Sequence, residues 1–116
     1  MSNALFAITF DARDAKAVAT FWAETLGRTV ADGATEAAAT VVPDPAVPSL
    51  PIGFRQVPED KTVKNRMHFD LVTGDFDAEV ARLTRLGAKK VNEVTDPFHY
   101  ATLADPEGNE FDLIAR

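Results

Sequence analysis

The chain has 116 residues, of which 46% are hydrophobic and 26% are charged, a balance typical of one globular domain. It contains no cysteine, which excludes disulfides, thiolate nucleophiles and thiolate metal ligands. Twelve Lys and Arg residues against eighteen Asp and Glu residues give a net charge of −6, which repels a nucleic-acid backbone.

Several other classes of protein are also disfavoured by the sequence. No run of about 20 apolar residues could span a bilayer, and no basic flank precedes an apolar core at the N-terminus, so we expect a cytoplasmic protein without membrane contact. The sequence has no glycine-rich phosphate loop. Its two serines, Ser2 and Ser49, lie near the N-terminus and in a proline-rich segment. Nucleotide hydrolysis and serine hydrolysis are therefore not expected.

The first half of the chain begins with a β-rich segment at 5–10 and continues into a predicted helix. Asp14 suits the N-cap of this helix, and Gly27 suits the left-handed residue that ends it. The apolar residues at helical spacing between them are Val18, Phe21, Trp22 and Leu26. Further strands are predicted at 29–30, 37–42 and 52–57. The prolines between 43 and 51 predict an irregular connection.

The second half repeats this order. A β-rich segment at 66–72 leads to Asp75, and an apolar-periodic helix ends at Gly87. Strands are then predicted at 89–94, 100–104 and 110–114. Phe-Asp pairs at 10–11 and 69–70 mark corresponding points of the two halves, as do the Leu-Gly pairs at 26–27 and 86–87. We therefore predict an α+β fold in one domain, 1–116, with βαβββ modules at about 4–57 and 65–116.

Strand periodicity predicts which side chains of the second module face a ligand. Alternate residues of the strand at 66–72 are apolar and are expected to pack against a helix; these are Met67, Phe69 and Leu71. The opposite face then carries Arg66, His68 and Asp70. In the strand at 110–114, Phe111 and Leu113 are expected on the helix side. His68 and Asp112 are therefore predicted to share the other face.

Three motifs are distributed along the chain: DAKAVATFWAETLG at 14–27, KTVKNRMHFDL at 61–71 and ADPEGNEF at 104–111. Together they resemble the glyoxalase-like branch of the vicinal-oxygen-chelate superfamily, which also includes bleomycin resistance proteins and extradiol dioxygenases. The resemblance implies two βαβββ modules whose curved mixed sheets surround a cavity, with the helices outside. It also implies a homodimer. Trp22 is the local candidate for that interface, whereas Phe21 is expected in the core.

The same resemblance implies a divalent metal on four inward groups, typically two His or Gln and two Glu. His68 and Asp112 fall on two of these positions. The other two positions fall at Ala7 or Thr9 and at Arg55 or Gln56. Because none of these four is a strong ligand, we predict no bound cofactor, with a divalent metal on His68 and Asp112 as the alternative. Without metal, His68 could bond to Asp70 or Asp112, line the cavity, or act as a base.

Two functions follow. The first is a small-molecule-binding protein with a degenerate metal site, which holds an aromatic or anionic ligand in the sheet cavity. The alternative is a divalent-metal-dependent lyase, isomerase or dioxygenase in which His68 is catalytic. The basic residues near the middle of the chain favour an anion, or form a solvated loop. The predicted ligand-binding residues are Arg55, Gln56, Lys64, Arg66, Asp70, Phe98 and Tyr100.

Overall fold

The structure, a computed structural model, describes residues 2–116, so Met1 of the predicted domain lies outside the described residues. Within that range the chain forms two helices and seven strands. In chain order these are β1 (Ile8–Ala12), α1 (Ala15–Leu26), β2 (Ala38–Val41), β3 (Ile52–Gln56), β4 (Asp70–Thr73), α2 (Phe76–Leu86), β5 (Lys89–Val94), β6 (Tyr100–Ala104) and β7 (Glu110–Ala115). They form two compact units, unit one ending at Asp60 and unit two starting at Lys61.

Unit one is a three-stranded mixed sheet with α1 packed against it. The strand order is β1-β3-β2, with β1 parallel and β2 antiparallel to β3. The strand predicted at 29–30 is reduced to one bridge between Val30 and Val41. As predicted, Asp14 caps α1 by accepting a hydrogen bond from Ala17 N–H, and Gly27 ends it at a φ of 66°.

Trp22 lies inside unit one, and its predicted exposure at a chain interface is wrong. Its relative exposure is 1%, that of Phe21 is 3%, and the two rings meet edge to face with centroids 5.3 Å apart. The helix packs against all three strands of its sheet, which gives neighbouring side chains of α1 separate places in the core. Two adjacent aromatic residues can therefore both be buried.

Unit two is a four-stranded mixed sheet in the order β4-β7-β6-β5, with β4 parallel to β7 and the other pairs antiparallel. The helix α2 runs from the N-cap Asp75 to Gly87, as the periodicity predicted. The turn between β6 and β7 is held by Asp105, which accepts hydrogen bonds from the backbone N–H groups of Glu107 and Asn109. The ADPEGNEF motif at 104–111 therefore forms the hairpin turn between β6 and β7.

The strand predicted from 66 begins only at Asp70. Met67 is 61% exposed, so the prediction that it packs against a helix is wrong. The alternation that the sequence suggested holds from Phe69 onward, because the parallel pairing with β7 starts there with the bond from Asp112 N–H to the Phe69 carbonyl. Residues 66–68 lie outside β4, so no strand pairing determines on which side of the sheet their side chains lie.

The predicted α+β class is confirmed: two helices and two mixed sheets account for the regular structure of residues 2–116. The division after Asp60 falls between the two predicted modules, which end at about 57 and begin at about 65. That the two units fold as one domain stays a prediction. Neither helix of the described chain has the length and apolar character needed to cross a membrane.

Candidate functional site

The sheet of unit two has one buried face and one open face. The buried face carries Ala101, Leu103, Phe111 and Leu113, each at most 1% exposed. Since side chains alternate along a strand, their neighbours occupy the opposite, open face. Most of these neighbours are half-buried or exposed. The open face is therefore the surface of unit two on which a ligand could lie.

The strand pairings align the side chains of the open face into two rows. The first, the polar row, consists of Asp70, Asp112, Thr102 and Asn92 in strand order. The second, the apolar row, consists of Val72, Ile114, Tyr100 and Val94. Because each row runs across all four strands, a polar and an apolar band lie side by side on one face.

His68 stands at the β4 end of the polar row. Its Nδ1 atom lies 3.0 Å from Asp70 Oδ1 and 3.9 Å from Asp112 Oδ2. The side chains of His68, Asp70 and Asp112 are 39%, 55% and 22% exposed. The contact with Asp70 is one of the two alternatives that the sequence left open for an unmetallated histidine.

The same three residues are a candidate cation site. One ligand atom from each of His68, Asp70 and Asp112 can be chosen so that all three lie within 4.8 Å of one another. Imidazole and carboxylate are suitable donors for several divalent metals. The sequence placed Asp70 on the correct face but not among the metal ligands. The signal that could have found it is the parallel pairing of β4 with β7, which is a long-range contact.

Thr102 fixes the orientation of Asp112. Its hydroxyl donates a 2.6 Å hydrogen bond to Asp112 Oδ1, and the two residues are direct partners in the pairing of β6 with β7. This bond leaves Asp112 Oδ2 on the side of His68. Sequence reasoning missed Thr102, because a threonine in a strand is more often selected for its β propensity than for its hydroxyl.

The side chain of Glu110 connects residues 61–65, at the start of unit two, to β7. Its Oε1 atom accepts a 3.0 Å hydrogen bond from the Asn65 N–H and lies 2.9 Å from Lys61 Nζ. Burial opposes ionisation of Glu110, but the Asn65 hydrogen bond and Lys61 outweigh it and lower the pKa of the carboxyl. Lys61 is therefore engaged in an ion pair. Lys64 and Arg66, the predicted anion-binding residues of the same segment, are exposed.

Phe98 and Tyr100, the two aromatic residues predicted to bind a ligand, lie in different parts of unit two. Tyr100 belongs to the apolar row, while Phe98 is 72% exposed in the connection between β5 and β6. His99 lies towards α2: its Nε2 atom is 3.0 Å from Glu93 Oε2, and its ring centroid is 4.0 Å from that of Phe76. Of Phe98 and Tyr100, it is Tyr100 that the strand register assigns to the open face.

Arg55 and Gln56 lie in unit one, on opposite faces of β3. Arg55 is the strand partner of Asp11 in the pairing of β3 with β1, and it lies on the opposite face of β3 from the buried Phe54. The amide of Gln56 donates to the Arg13 carbonyl and to Glu36 Oε1. Their roles as ligand-binding residues stay predictions.

Unit one can be compared with unit two by counting back from the N-cap of each helix. On this count Ala7 is equivalent to His68, and Thr9 to Asp70. Ala7 carries only a methyl group, so unit one has no imidazole at this position. This agrees with Ala7, one of the two residues that the family resemblance offered for this metal-ligand position.

Gly53 takes the position of Asp112, because it is the strand partner of Thr9. The sequence predicted Arg55 or Gln56 at this metal-ligand position. The strand register corrects that prediction, because the residue equivalent to Asp112 is Gly53. Glycine offers no side-chain ligand, and a Cβ atom there would approach Thr9 Oγ1 to 3.1 Å. A complete four-ligand set does not fit the residues at these positions, whereas the three donors of unit two suit a cation.

A family model described as a glyoxalase-like domain matches residues 7–114. A search of curated proteins found no match. Similar solved structures include a hypothetical protein from S. aureus, with a TM-score of 0.74 and 16% identity over 100% of this chain and 95% of that one. Fosfomycin resistance protein FosX from Mesorhizobium loti gives 0.73 and 15% over 100% and 94%.

A mutant of the FosX protein from Listeria monocytogenes, complexed with Mn(II) and a dihydroxypropylphosphonic acid, gives a TM-score of 0.72 and 16% identity over 98% of this chain and 90% of that one. At these identities the structural likeness shows the fold, and the family is shown by the sequence match over residues 7–114. The chain therefore belongs to the glyoxalase-like domain family of the vicinal-oxygen-chelate superfamily.

Proposed function

We propose that the protein binds a small molecule on the open face of its second sheet and that its metal site is degenerate. The observation that carries the proposal is the loss of donors in unit one. Ala7 and Gly53 occupy the positions equivalent to His68 and Asp112. Two of the four groups that would hold a metal are thus replaced by a methyl group and a hydrogen atom, and tight metal binding is not expected.

The chemistry of the open face supports binding in its own right. Ligand sites are commonly apolar surfaces with a few polar groups that fix orientation. Here the apolar row supplies contact area, and the polar row lies alongside it. Asp70 and Tyr100, two of the residues predicted from the sequence, belong to these rows. Roles for the exposed Lys64, Arg66 and Phe98 in this binding stay predictions.

Chemical-shift mapping in the presence of a chelator tests this proposal. The probe is phenethyl alcohol, a neutral aromatic fragment for which we expect a dissociation constant of the order of millimolar. Shifts are expected at backbone amides of β4, β6 and β7. Val72→Ala should weaken binding, because it removes part of the apolar row. Val47→Ala is the matched control, since the two valines are 55% and 54% exposed.

Two outcomes would contradict the proposal. One is the absence of shifts on these three strands at probe concentrations up to about ten times the expected dissociation constant. The other is an equal loss of affinity in Val72→Ala and Val47→Ala. Either result would mean that the apolar row does not contact the probe.

A second candidate function is favoured by the cluster of His68, Asp70 and Asp112. We propose as the alternative a divalent-metal-dependent enzyme in which these three residues would hold the ion. A metal bound there would polarise a substrate oxygen. The similar FosX structure from Listeria contains Mn(II), which is a property of that protein. The metal titration that separates the two candidates closes the Discussion.

A further inference from the structure

We infer that the molecule bound by the open face is a cationic amphipath: a small molecule with an amine or amidine group beside a flat apolar body. This inference rests on the proposed binding function and names its ligand class. It follows from the order of charges along the polar row and from the position of the apolar row beside it.

The charge of the polar row is negative. Asp70 and Asp112 are direct strand partners, so two carboxylates lie next to each other on one face. Lys61, at the start of unit two, already forms an ion pair with Glu110 at 2.9 Å. An anionic group over this row would therefore meet like charge, whereas an ammonium group would meet opposite charge.

Both carboxylates keep acceptor capacity for a ligand. His68 lies within hydrogen-bond distance of Asp70 Oδ1, and Thr102 donates to Asp112 Oδ1. Asp112 Oδ2 is 3.9 Å from His68 Nδ1, which is beyond hydrogen-bond distance. An ionised carboxylate accepts up to about four hydrogen bonds, and an ammonium group supplies three donors. The remaining oxygens of Asp70 and Asp112 are suited to such a group.

The apolar row indicates that the rest of the ligand is an apolar body. Its members stand two residues along each strand from the polar row, which is a separation of roughly 7 Å. Val72 is 55% exposed, so the row retains apolar area for a ligand to cover. A bare metal ion would satisfy the carboxylates but leave this row uncovered. An aryl-alkyl amine matches both rows in one molecule.

Three probes of similar shape test the inference: phenethylamine, phenethyl alcohol and phenylpropanoate, which are cationic, neutral and anionic. Binding to chelator-treated protein is followed by chemical-shift mapping. We expect phenethylamine to bind at least tenfold more tightly than the alcohol, and phenylpropanoate to bind most weakly. Asp70→Asn should remove most of the advantage of the amine, so that phenethylamine and phenethyl alcohol bind this variant with similar affinity. Asp32→Asn, an exposed aspartate of unit one, is the matched control.

The outcomes separate this inference from the function on which it rests. Equal binding of the three probes on the open face, or tighter binding of phenylpropanoate, would overturn the cationic ligand and leave the binding function intact. Binding of none of them would overturn both. Asp70→Asn is the deciding variant because Asp70 is 55% exposed and its substitution leaves the core unchanged. Val72→Ala should weaken the binding of phenethylamine and phenethyl alcohol alike and keep the preference for the amine, whereas an unchanged affinity for phenethylamine in this variant would overturn the amphipath and indicate recognition of the charge alone.

Discussion

Asp70 and Asp112 are direct partners in the parallel pairing of β4 with β7, and His68 Nδ1 lies 3.0 Å from the first and 3.9 Å from the second. Two like charges opposite each other on a sheet reduce its stability. The fold retains this arrangement on a face that is otherwise open. Such a cost in stability is common at functional sites.

The repulsion predicts that Asp70→Asn stabilises the free protein. At about pH 8, where histidine side chains are ordinarily neutral, we expect the free energy of unfolding to rise by about 0.5 kcal/mol in dilute buffer. The gain should shrink at high salt, because the charges are largely exposed. Urea unfolding measures both values, with Asp32→Asn as control. An equal gain in the two variants would show an effect of net charge alone.

The hydrogen bond from the Thr102 hydroxyl to Asp112 is expected to stabilise the fold of unit two. Thr102→Val removes the 2.6 Å hydrogen bond but keeps the shape of the side chain. We expect a loss of about 1 kcal/mol in the free energy of unfolding, and recovery of most of it in Thr102→Ser, which restores the donor. Chemical denaturation of the three proteins checks this. A serine variant as unstable as the valine variant would argue against the hydrogen bond as the cause.

Glu110 makes the stability of unit two depend on pH. Its pKa is lowered in the folded state, so the ionised carboxylate adds stability above the ordinary glutamate pKa of about 4.3, and this stability is lost as the pH falls through the lowered value. We expect Glu110→Gln to cost about 1 kcal/mol near neutral pH and little in acid. Denaturation curves across that range, with Glu59→Gln as an exposed control, measure the difference. A cost independent of pH would contradict the ion pair with Lys61.

The burial of Trp22 predicts a fluorescence result. Its indole is 1% exposed within one chain, so acrylamide should quench it poorly, and dilution should leave both quenching and emission maximum unchanged. Trp22→Ala should lower the free energy of unfolding by about 3–5 kcal/mol. Quenching that rises on dilution would mean that a second chain covers the ring. A homodimer, which stays a prediction, is tested separately by light scattering.

Most of the regular structure could be predicted from the sequence because its signals are local. Asp14 with Gly27, and Asp75 with Gly87, define both helices through capping contacts a few residues long. The strands of the second half follow from alternation, which also placed Asp112 opposite the buried Phe111 and Leu113. The predicted start of β4 was wrong because only its pairing with β7 fixes where that strand begins.

The candidate site could be predicted only in part, because it depends on long-range register. His68 and Asp112 were placed together from periodicity, but the direct partnership of Asp70 with Asp112 requires the pairing of strands far apart in sequence. The equivalence of Gly53 with Asp112 also depends on strand register, through the pairing of β1 with β3. Thr102 and the apolar row became recognisable once four strands were aligned. Trp22 was misplaced because helical spacing does not show how many strands a helix covers.

Thermal unfolding of chelator-treated protein, alone and with Mn²⁺, Ni²⁺, Zn²⁺, Fe²⁺ or Mg²⁺, tests most directly whether the metal site is degenerate. The same series on His68→Ala is the control. With Ala7 and Gly53 in place of two ligands, we expect each metal at about 1 mM to raise the midpoint by less than about 2 °C. A rise of about 10 °C with any of these metals that is lost in His68→Ala would correspond to a metal concentration about a hundred times the dissociation constant. That result would contradict the degenerate site and favour the metal-dependent enzyme.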